Sequence, residues 1–354
     1  MEEISISVCI PLYNQKSYAE DCIKSVLCQT FQDFEIVIYD DFSDDGVFEL
    51  VQKKFSSEIA TAKIRLFRNE KNLGETLTTK KCLEEARGKY TAVIHNDDLY
   101  LPNALEHLFN VAEKFNADVV HGSNFLISPK DGIIRKGTPL HKVFFDNNPA
   151  NKIVILPADL NSRFQEWHTG GTFQDAQYNL FRKKFLTDNK ILDCLECSEP
   201  LLFSLKWIMQ AKIFVKTPEI FYVKRDNPTS QTYEKTVSYD RLEKSITDNI
   251  SYLNQADKFV SNFDFFQDKK DLQYLVKVKI FMSRESLTLN VDKALGNKNH
   301  AELYNSIEKV FKKTFGESGV YLAMLYHWSH VMQFNKSKIQ KMLQNCLSLI
   351  AEDI

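Results

Sequence analysis

The 354-residue sequence has little glycine and proline, 11 and 9 residues, and it carries neither a GxGxxG nor a GxxxxGK[ST] stretch. Without those, neither a dinucleotide fingerprint nor a P-loop is available to hold phosphates. The seven cysteines are an odd number, scattered without CxxC or Cys/His ligand spacing. That argues against a disulfide framework or a structural zinc site and leaves reduced core thiols. A basic surplus is missing too: 45 Lys and Arg stand against 47 Asp and Glu, a formal net charge of -2. No nucleic-acid partner is therefore expected. No apolar run has the uncharged length that spans a bilayer; the closest, Val320 to Phe334, is broken by His327 and His330. The opening Met1-Glu2-Glu3 is acidic where a secretory signal is basic, so a cytoplasmic protein, soluble or peripheral, is expected.

What is present is 44% hydrophobic residues, with 26 Phe and 14 Tyr, enough for one large core or two smaller ones. The first third alternates short β-type runs with helical patterns, the signature of a mainly parallel α/β sheet. Ile4 to Ile10 reads as a strand ended by Pro11. Ser17 and Glu20 have capping-box spacing before a helix that carries Ile23, Val26, Leu27 and Phe31. Phe34 to Tyr39 reads as a second, buried strand, followed by Asp40-Asp41 and by Ser43 as the N-cap of a helix with Leu50 and Val51. Ile64 to Phe67 is a third strand, Asn69 to Gly74 a turn, and Gly88 the stop of the helix after it. Tyr90 to Ile94 is a fourth strand running into His95-Asn96-Asp97-Asp98. Pro102 opens a further helix, Val119 to His121 is a fifth strand, and Lys130-Asp131-Gly132 has the composition of a hairpin turn. From about Ser238 the pattern is helical and Lys-rich.

The acidic clusters thus fall at the carboxyl ends of strands, the edge where open α/β sheets bind ligands. A chain without a phosphate loop can hold a diphosphate through a divalent ion, because Mg2+ and Mn2+ take carboxylate and phosphate oxygens together. Six stretches then occur in order: Ser7-Val8-Cys9-Ile10-Pro11-Leu12-Tyr13-Asn14, Ser25 to Phe31, Phe34 to Ser43, Asn72-Leu73-Gly74, Ala86 to Tyr90, and His95 to Asp98. Together they resemble the opening of family 2 glycosyltransferases of the GT-A fold. The resemblance covers about the first 120 residues, weakens through residue 232 and does not reach the C-terminal third.

That resemblance implies a GT-A α/β domain, a mainly parallel sheet flanked by helices, over 1–235. Its nucleotide-binding half would be 1–122 and its acceptor and catalytic half 123–235, followed by a helical region at 236–354. It implies an inverting sugar transfer from a nucleotide-diphosphate donor, UDP-linked, to a glycan or lipid-linked acceptor, assisted by Mn2+ or Mg2+. Pro11, Tyr13 and Asp41 would hold the base and Asp97 the ribose, with Asp98 and His95 on the metal. His95 departs from the family's usual Asp, and its imidazole favours Mn2+ over Mg2+. Lys80 or Lys81 would supply positive charge to the diphosphate in place of the family's Arg, and Arg225 would clamp it from a segment that closes over the donor. Glu199, just before Pro200, would be the general base, with Glu196 in reserve. Trp167 and the Gly170-Gly171 pair after it would line the donor-sugar pocket.

Two rival readings stand beside this one. A nucleotidyltransferase needs a Gly-rich basic loop near the N-terminus, and Pro11-Leu12-Tyr13-Asn14 is not one. A catalytically inactive scaffold that keeps the fold is consistent with His95, Thr79 and Pro200 at altered positions, while Asp41, Asp97 and Asp98 argue against it. Amphipathic stretches such as Ile339 to Ile350 leave a peripheral membrane contact or a homo-oligomer interface open, with packing on the core as the default.

Overall fold

The computed structural model describes residues 4–128, 141–144, 152–169, 176–196, 200–227, 252, 254–273, 275–277, 279 and 280. The backbone divides into two compact units, Met1–Tyr233 and Glu234–Ile354. In the first, β1 (Ile6–Leu12), β2 (Phe34–Asp40), β3 (Ile64–Arg68) and β4 (Tyr90–Val93) are joined by α1 (Lys16–Leu27), α2 (Val47–Lys54), α3 (Ser56–Ala60) and α4 (Glu75–Glu85). There follow β5 (Leu99–Tyr100), α5 (Ala104–Phe115), β6 (Val119–Gly122), β7 (Asn124–Ile127), β8 (His141–Phe144), β9 (Val154–Ile155) and α6 (Leu160–Thr169). β10 (Asn179–Arg182), α7 (Lys183–Asp188), α8 (Pro200–Gln210), β11 (Phe214–Thr217) and β12 (Tyr222–Lys224) complete the described part of this unit.

Eight strands form one sheet in the order β3-β2-β1-β4-β10-β6-β11-β9. β3, β2, β1 and β4 are mutually parallel, β10 runs against both its neighbours, and β6 and β11 are parallel again. The expected mainly parallel sheet is therefore present, and it runs unbroken from β4 through β10 to β6. Every residue of β1 is buried, as a strand covered on both faces requires. Its one hydroxyl shows how: Ser7 Oγ donates to Glu35 Oε1 at 2.7 Å and accepts the N–H groups of Arg87 and Gly88.

The remaining four strands form a second sheet, β5-β12-β7-β8. β12 pairs antiparallel with β5, which begins directly after Asp98, and parallel with β7. This small sheet carries a late stretch of chain to the mouth of β4. β7 and β8 pair antiparallel, while the turn residues Lys130 to Gly132 between them lie outside the described residues.

Several local expectations need correction. Pro11 does not end β1; it sits inside it, in register with Tyr39. β4 pairs with β1 only as far as Cys9, so one edge of β1 is open beyond that point and the missing N–H of proline costs no ladder bond. Ser17 is not a cap, because α1 starts one residue earlier with no side-chain cap at Gln15, and Glu20 pairs with Lys24 at 2.7 Å instead. The cap is tertiary: Asp45 accepts the N–H of Lys16 at 2.9 Å and that of Val47 at 3.0 Å, serving the first turns of α1 and α2 together. Ser43 is not the cap of α2 either; it accepts the N–H of Asn14 and donates its own N–H to Asp40. Gly88 is required by closeness, not by helix termination: a Cβ there would lie 2.5 Å from Ser7 N.

Of the described free cysteines, Cys9, Cys22 and Cys82 are buried core thiols as expected, while Cys28 is exposed. No helix among the described residues is long and apolar enough to cross a membrane. In the second unit the described residues are largely helical, with Phe259, Phe263 and Phe266 in mutual ring contact. The stretch Ile339 to Ile350 lies outside them.

Candidate functional site

Asp41 leaves the end of β2 with its N–H bonded to the Leu12 carbonyl at 2.8 Å, which places it beside the end of β1. Its carboxylate is buried. Oδ1 accepts from Asn69 Nδ2 and the Leu73 N–H, and Oδ2 from the Gly74 N–H, all at 2.8 Å. Gly74 has φ +87°, a left-handed conformation that glycine adopts without strain, and α4 begins at the next residue. Three donors leave the carboxylate room for one more on Oδ2. Asn69 extends the network, accepting from Lys81 Nζ at 2.8 Å and donating to Thr78 Oγ1. Of the two adjacent lysines it is Lys81 that reaches this network; Lys80 lies 3.8 Å from Glu84 one helical turn on. Tyr13, at the end of β1, is 37% exposed.

After β4, Ile94 continues the ladder to the Cys9 carbonyl, and a turn closed by Asp98 N–H to His95 C=O at 3.0 Å presents His95, Asp97 and Asp98 together. One ligand atom from each of the three lies within 4.8 Å of the others. An imidazole nitrogen and two carboxylates at this spacing could hold a divalent metal ion.

Asp98 is buried. Its Oδ2 accepts the Tyr222 hydroxyl at 2.6 Å and its Oδ1 the Arg225 N–H at 2.8 Å. Burial, and then the neighbouring Asp97 charge, push its carboxyl up to about 6. Asp97 Oδ2 accepts from Asn227 Nδ2, which also donates to Gln15.

His95 has a partner that its sequence position did not announce: Nε2 stands 2.9 Å from Glu75 Oε1, in the first turn of α4. Burial works to lower the ring's pKa, but Glu75, with Asp98 and Asp97 adding, raises it to about 10. Glu75 is held below its usual range, chiefly by His95. An arriving divalent ion must therefore displace a proton from the imidazole to use its nitrogen.

Arg225, the phosphate clamp that the resemblance implies, is otherwise engaged. The structure places its side chain 3% exposed, donating through Nε to the Asp97 carbonyl, through one terminal nitrogen to Asp21 at 3.3 Å and through the other to the Tyr18 carbonyl at 2.7 Å. Its guanidinium also lies over the Tyr18 ring. In this arrangement Arg225 is a latch that fastens the end of β12 to α1 beneath the Asp97–Asp98 turn.

Trp167 does not line a sugar pocket: it is fully buried on α6, with its indole N–H donating to Ser204 Oγ at 3.0 Å. An apolar ring with one donor is satisfied by α8 packing over it, which local sequence does not reveal. Gly170, Gly171 and Glu199 lie outside the described residues, as does the side chain of Glu196; α8 does begin at Pro200. Glu75 and Asn69 are the site residues whose roles sequence reasoning missed, and neither carries a periodicity or motif that marks it. Tyr222 opens the stretch from Tyr222 to Thr232 that resembles the family's mobile Tyr-Arg segment, but its bond to Asp98 follows only from where β12 lands.

The family model for glycosyl transferase family 2 matches residues 7–186. Putative glycosyltransferase EpsE of Bacillus subtilis is 30% identical over 247 residues, covering 60% of this chain and 88% of that protein. Glycosyltransferase GlyG of Streptococcus pneumoniae is 29% identical over 127 residues, 36% of this chain and 41% of that protein. An uncharacterized glycosyltransferase of Rickettsia felis is 33% identical over 179 residues, 48% of this chain and 29% of that protein. The chain thus spans less than half the length of several curated relatives it matches. Among solved structures, S. aureus TarS 1–349 in complex with UDP-GlcNAc superimposes with a TM-score of 0.61 at 17% identity, over 99% of this chain and 92% of that one. At that identity the likeness is one of fold, and it agrees with the mainly parallel α/β sheet of the first unit. With the family model lying over just over half of its 354 residues, and with the acidic turns of that family at the ends of β2 and β4, the chain belongs to glycosyl transferase family 2.

Proposed function

We propose that the chain transfers a sugar from a UDP-linked donor to a glycan or lipid-linked acceptor, with inversion at the anomeric carbon and with Mn2+ or Mg2+ on the diphosphate. The observation that carries this reading is the grouping of His95, Asp97 and Asp98 within 4.8 Å on the sheet edge that also presents Asp41. Asp41 would accept the imide N–H of the base on its remaining lone pair, with Tyr13 and the Pro11 turn beside the ring. Asp97 would take the ribose, and Asp98 with His95 would hold the metal. When bound, the ion supplies positive charge to the departing diphosphate. Arg225 and Tyr222 keep the Asp97–Asp98 turn in place through the bonds already described, and Lys81 is the nearer of the two lysines to the base-binding network. Glu199 is retained as the proposed base because it immediately precedes α8, and a positioned carboxylate contributes roughly 10²–10⁴-fold.

Relatives support the donor class: TarS is solved with UDP-GlcNAc and with UDP. The test is thermal stability with UDP, GDP and CDP, each with and without Mn2+, on the wild type and on the Asp97→Ala/Asp98→Ala double variant. A ligand that binds only the folded state raises the melting temperature. Stabilisation by UDP with Mn2+ in the wild type alone supports the reading. No shift with any nucleotide at millimolar concentration sinks it and leaves the scaffold reading. Turnover of a UDP-sugar in the wild type, abolished in Glu199→Gln, then tests the base.

A further inference from the structure

Among the described residues, the large hydrophobic side chains with more than a third of their surface exposed are Tyr13, Phe42, Ile153 and Ile155. The two isoleucines lie on or beside the edge strand β9. The two aromatics stand at the carboxyl ends of neighbouring parallel strands. Tyr13 follows β1, and Phe42 comes one residue after Asp41 and is 52% exposed.

Phe42 is unusual in its backbone as well. Its φ is +60°, a left-handed conformation that costs a bulky residue energy and that a glycine would adopt freely. A strained, exposed phenylalanine is retained only where the surrounding structure holds it, and here it does. Asn14, itself at φ +46°, donates its N–H to Ser43 Oγ at 3.1 Å and accepts the N–H of Asp44 at 3.0 Å. The loop carrying Tyr13 is thereby laced to the loop carrying Phe42.

Strand order sets Tyr13 on the β1 side of Asp41 and the Phe42 ring on its β3 side. Asp41 is bonded to the Leu12 carbonyl on the β1 side. The Phe42 ring lies under the guanidinium of Arg68, at the end of β3 on the outer side of β2, 5.6 Å from its centroid. Arg68 is fixed in turn by Asp40 and by the Ser43 carbonyl. Asp41 comes between the two aromatics in that order, its buried carboxylate accepting from Asn69, Leu73 and Gly74.

We propose that Phe42 is a second aromatic contact of the nucleobase, on the opposite side of Asp41 from Tyr13, and so contributes base recognition beyond what Asp41 and Tyr13 supply. This rests on the nucleotide-sugar reading above. A planar base is the ligand class that two aromatic rings and one buried acceptor fit: the rings take its faces and the carboxylate takes an N–H on its edge.

The experiment is calorimetric titration of UDP, and separately of inorganic pyrophosphate, each with Mn2+, into the wild type, Phe42→Ala, Phe42→Gly and Phe42→Tyr. Losing one stacked ring raises the UDP dissociation constant about tenfold in Phe42→Ala and Phe42→Gly. Phe42→Tyr stays near the wild type, and pyrophosphate affinity is unchanged in all four. Phe42→Gly, which relieves the left-handed strain, keeps or raises the melting temperature, so its loss of UDP binding is not a loss of fold. If the wild type binds UDP and both truncations bind it within about twofold of the wild type, Phe42 is only a loop residue and the proposal fails. It fails equally if pyrophosphate affinity falls in step with UDP. A wild type that binds pyrophosphate but not UDP overturns the nucleotide reading itself, and the role of Phe42 with it.

Discussion

At the end of β2, Asp41 takes its three donors from residues 28, 32 and 33 positions further along the chain. At the end of β4, Asp98 takes its two from residues 124 and 127 positions away. Both carboxylates are buried at the same edge of the same sheet, yet one belongs to a local strand–helix–strand unit and the other is completed only when β12 docks. The first is built by elements that fold next to one another. The second depends on the small sheet in which β12 pairs with β5 and β7, and through Arg225 on α1 as well. In the proposed function, phosphate and metal chemistry falls to the half of the site that needs the whole unit assembled, and base recognition to the half that does not.

This contrast can be broken by substitution. Asp98→Ala is expected to have the largest effect, about 3 kcal/mol of stability in urea unfolding, because the Tyr222 hydroxyl and the Arg225 N–H lose their buried acceptor. Mn2+-dependent UDP binding is lost with it. Asp98→Asn keeps an acceptor for the Arg225 N–H, and its amide NH2 can donate to the Tyr222 oxygen once that hydroxyl turns. It is therefore expected to recover most of that stability while still failing to hold the metal, which separates the two roles of the side chain. Asp41→Ala is expected to cost about 2 kcal/mol, less than Asp98→Ala, because the partly exposed Leu73 and Gly74 N–H groups can turn to water. If Asp41→Ala proves the more costly in the same urea series, the local-versus-assembled contrast is wrong. Asp45→Ala, which uncaps the first turns of α1 and α2, should lower stability by about 1 kcal/mol. Ser17→Ala sharpens the point at the small end, with a change inside about ±0.5 kcal/mol. A larger loss there, seen in the same melts, would restore Ser17 as a cap.

The same contrast marks where the sequence is readable. Strand positions around Val8, Ile36, Ala92 and Val120, and the acidic ends Asp40-Asp41 and Asp97-Asp98, are legible because they depend on short-range hydrophobic pattern and on order along the chain. What is not legible depends on partners that only folding supplies. Asp45 caps α1 from 29 residues away, so Ser17 and Glu20 imitate a capping box. Gly88 looks like a helix stop until β1 is seen pressed against it. Glu75 sits in the first turn of a helix, where acidic residues are commonplace, and only its approach to His95 sets it apart. Arg225 has the residue type and position of a phosphate clamp, but Asp21, Tyr18 and the Asp97 carbonyl occupy it.

The central claim is that the turn after β4 is a divalent-metal site serving a bound nucleotide diphosphate. Its most direct test is electron paramagnetic resonance of Mn2+ titrated into the wild type and into Asp98→Asn, each with and without UDP. The account predicts one tightly held Mn2+ per wild-type chain in the presence of UDP, and a spectrum of free Mn2+ at the same concentrations in the variant. Equal Mn2+ binding by the two proteins, with UDP present, would contradict it.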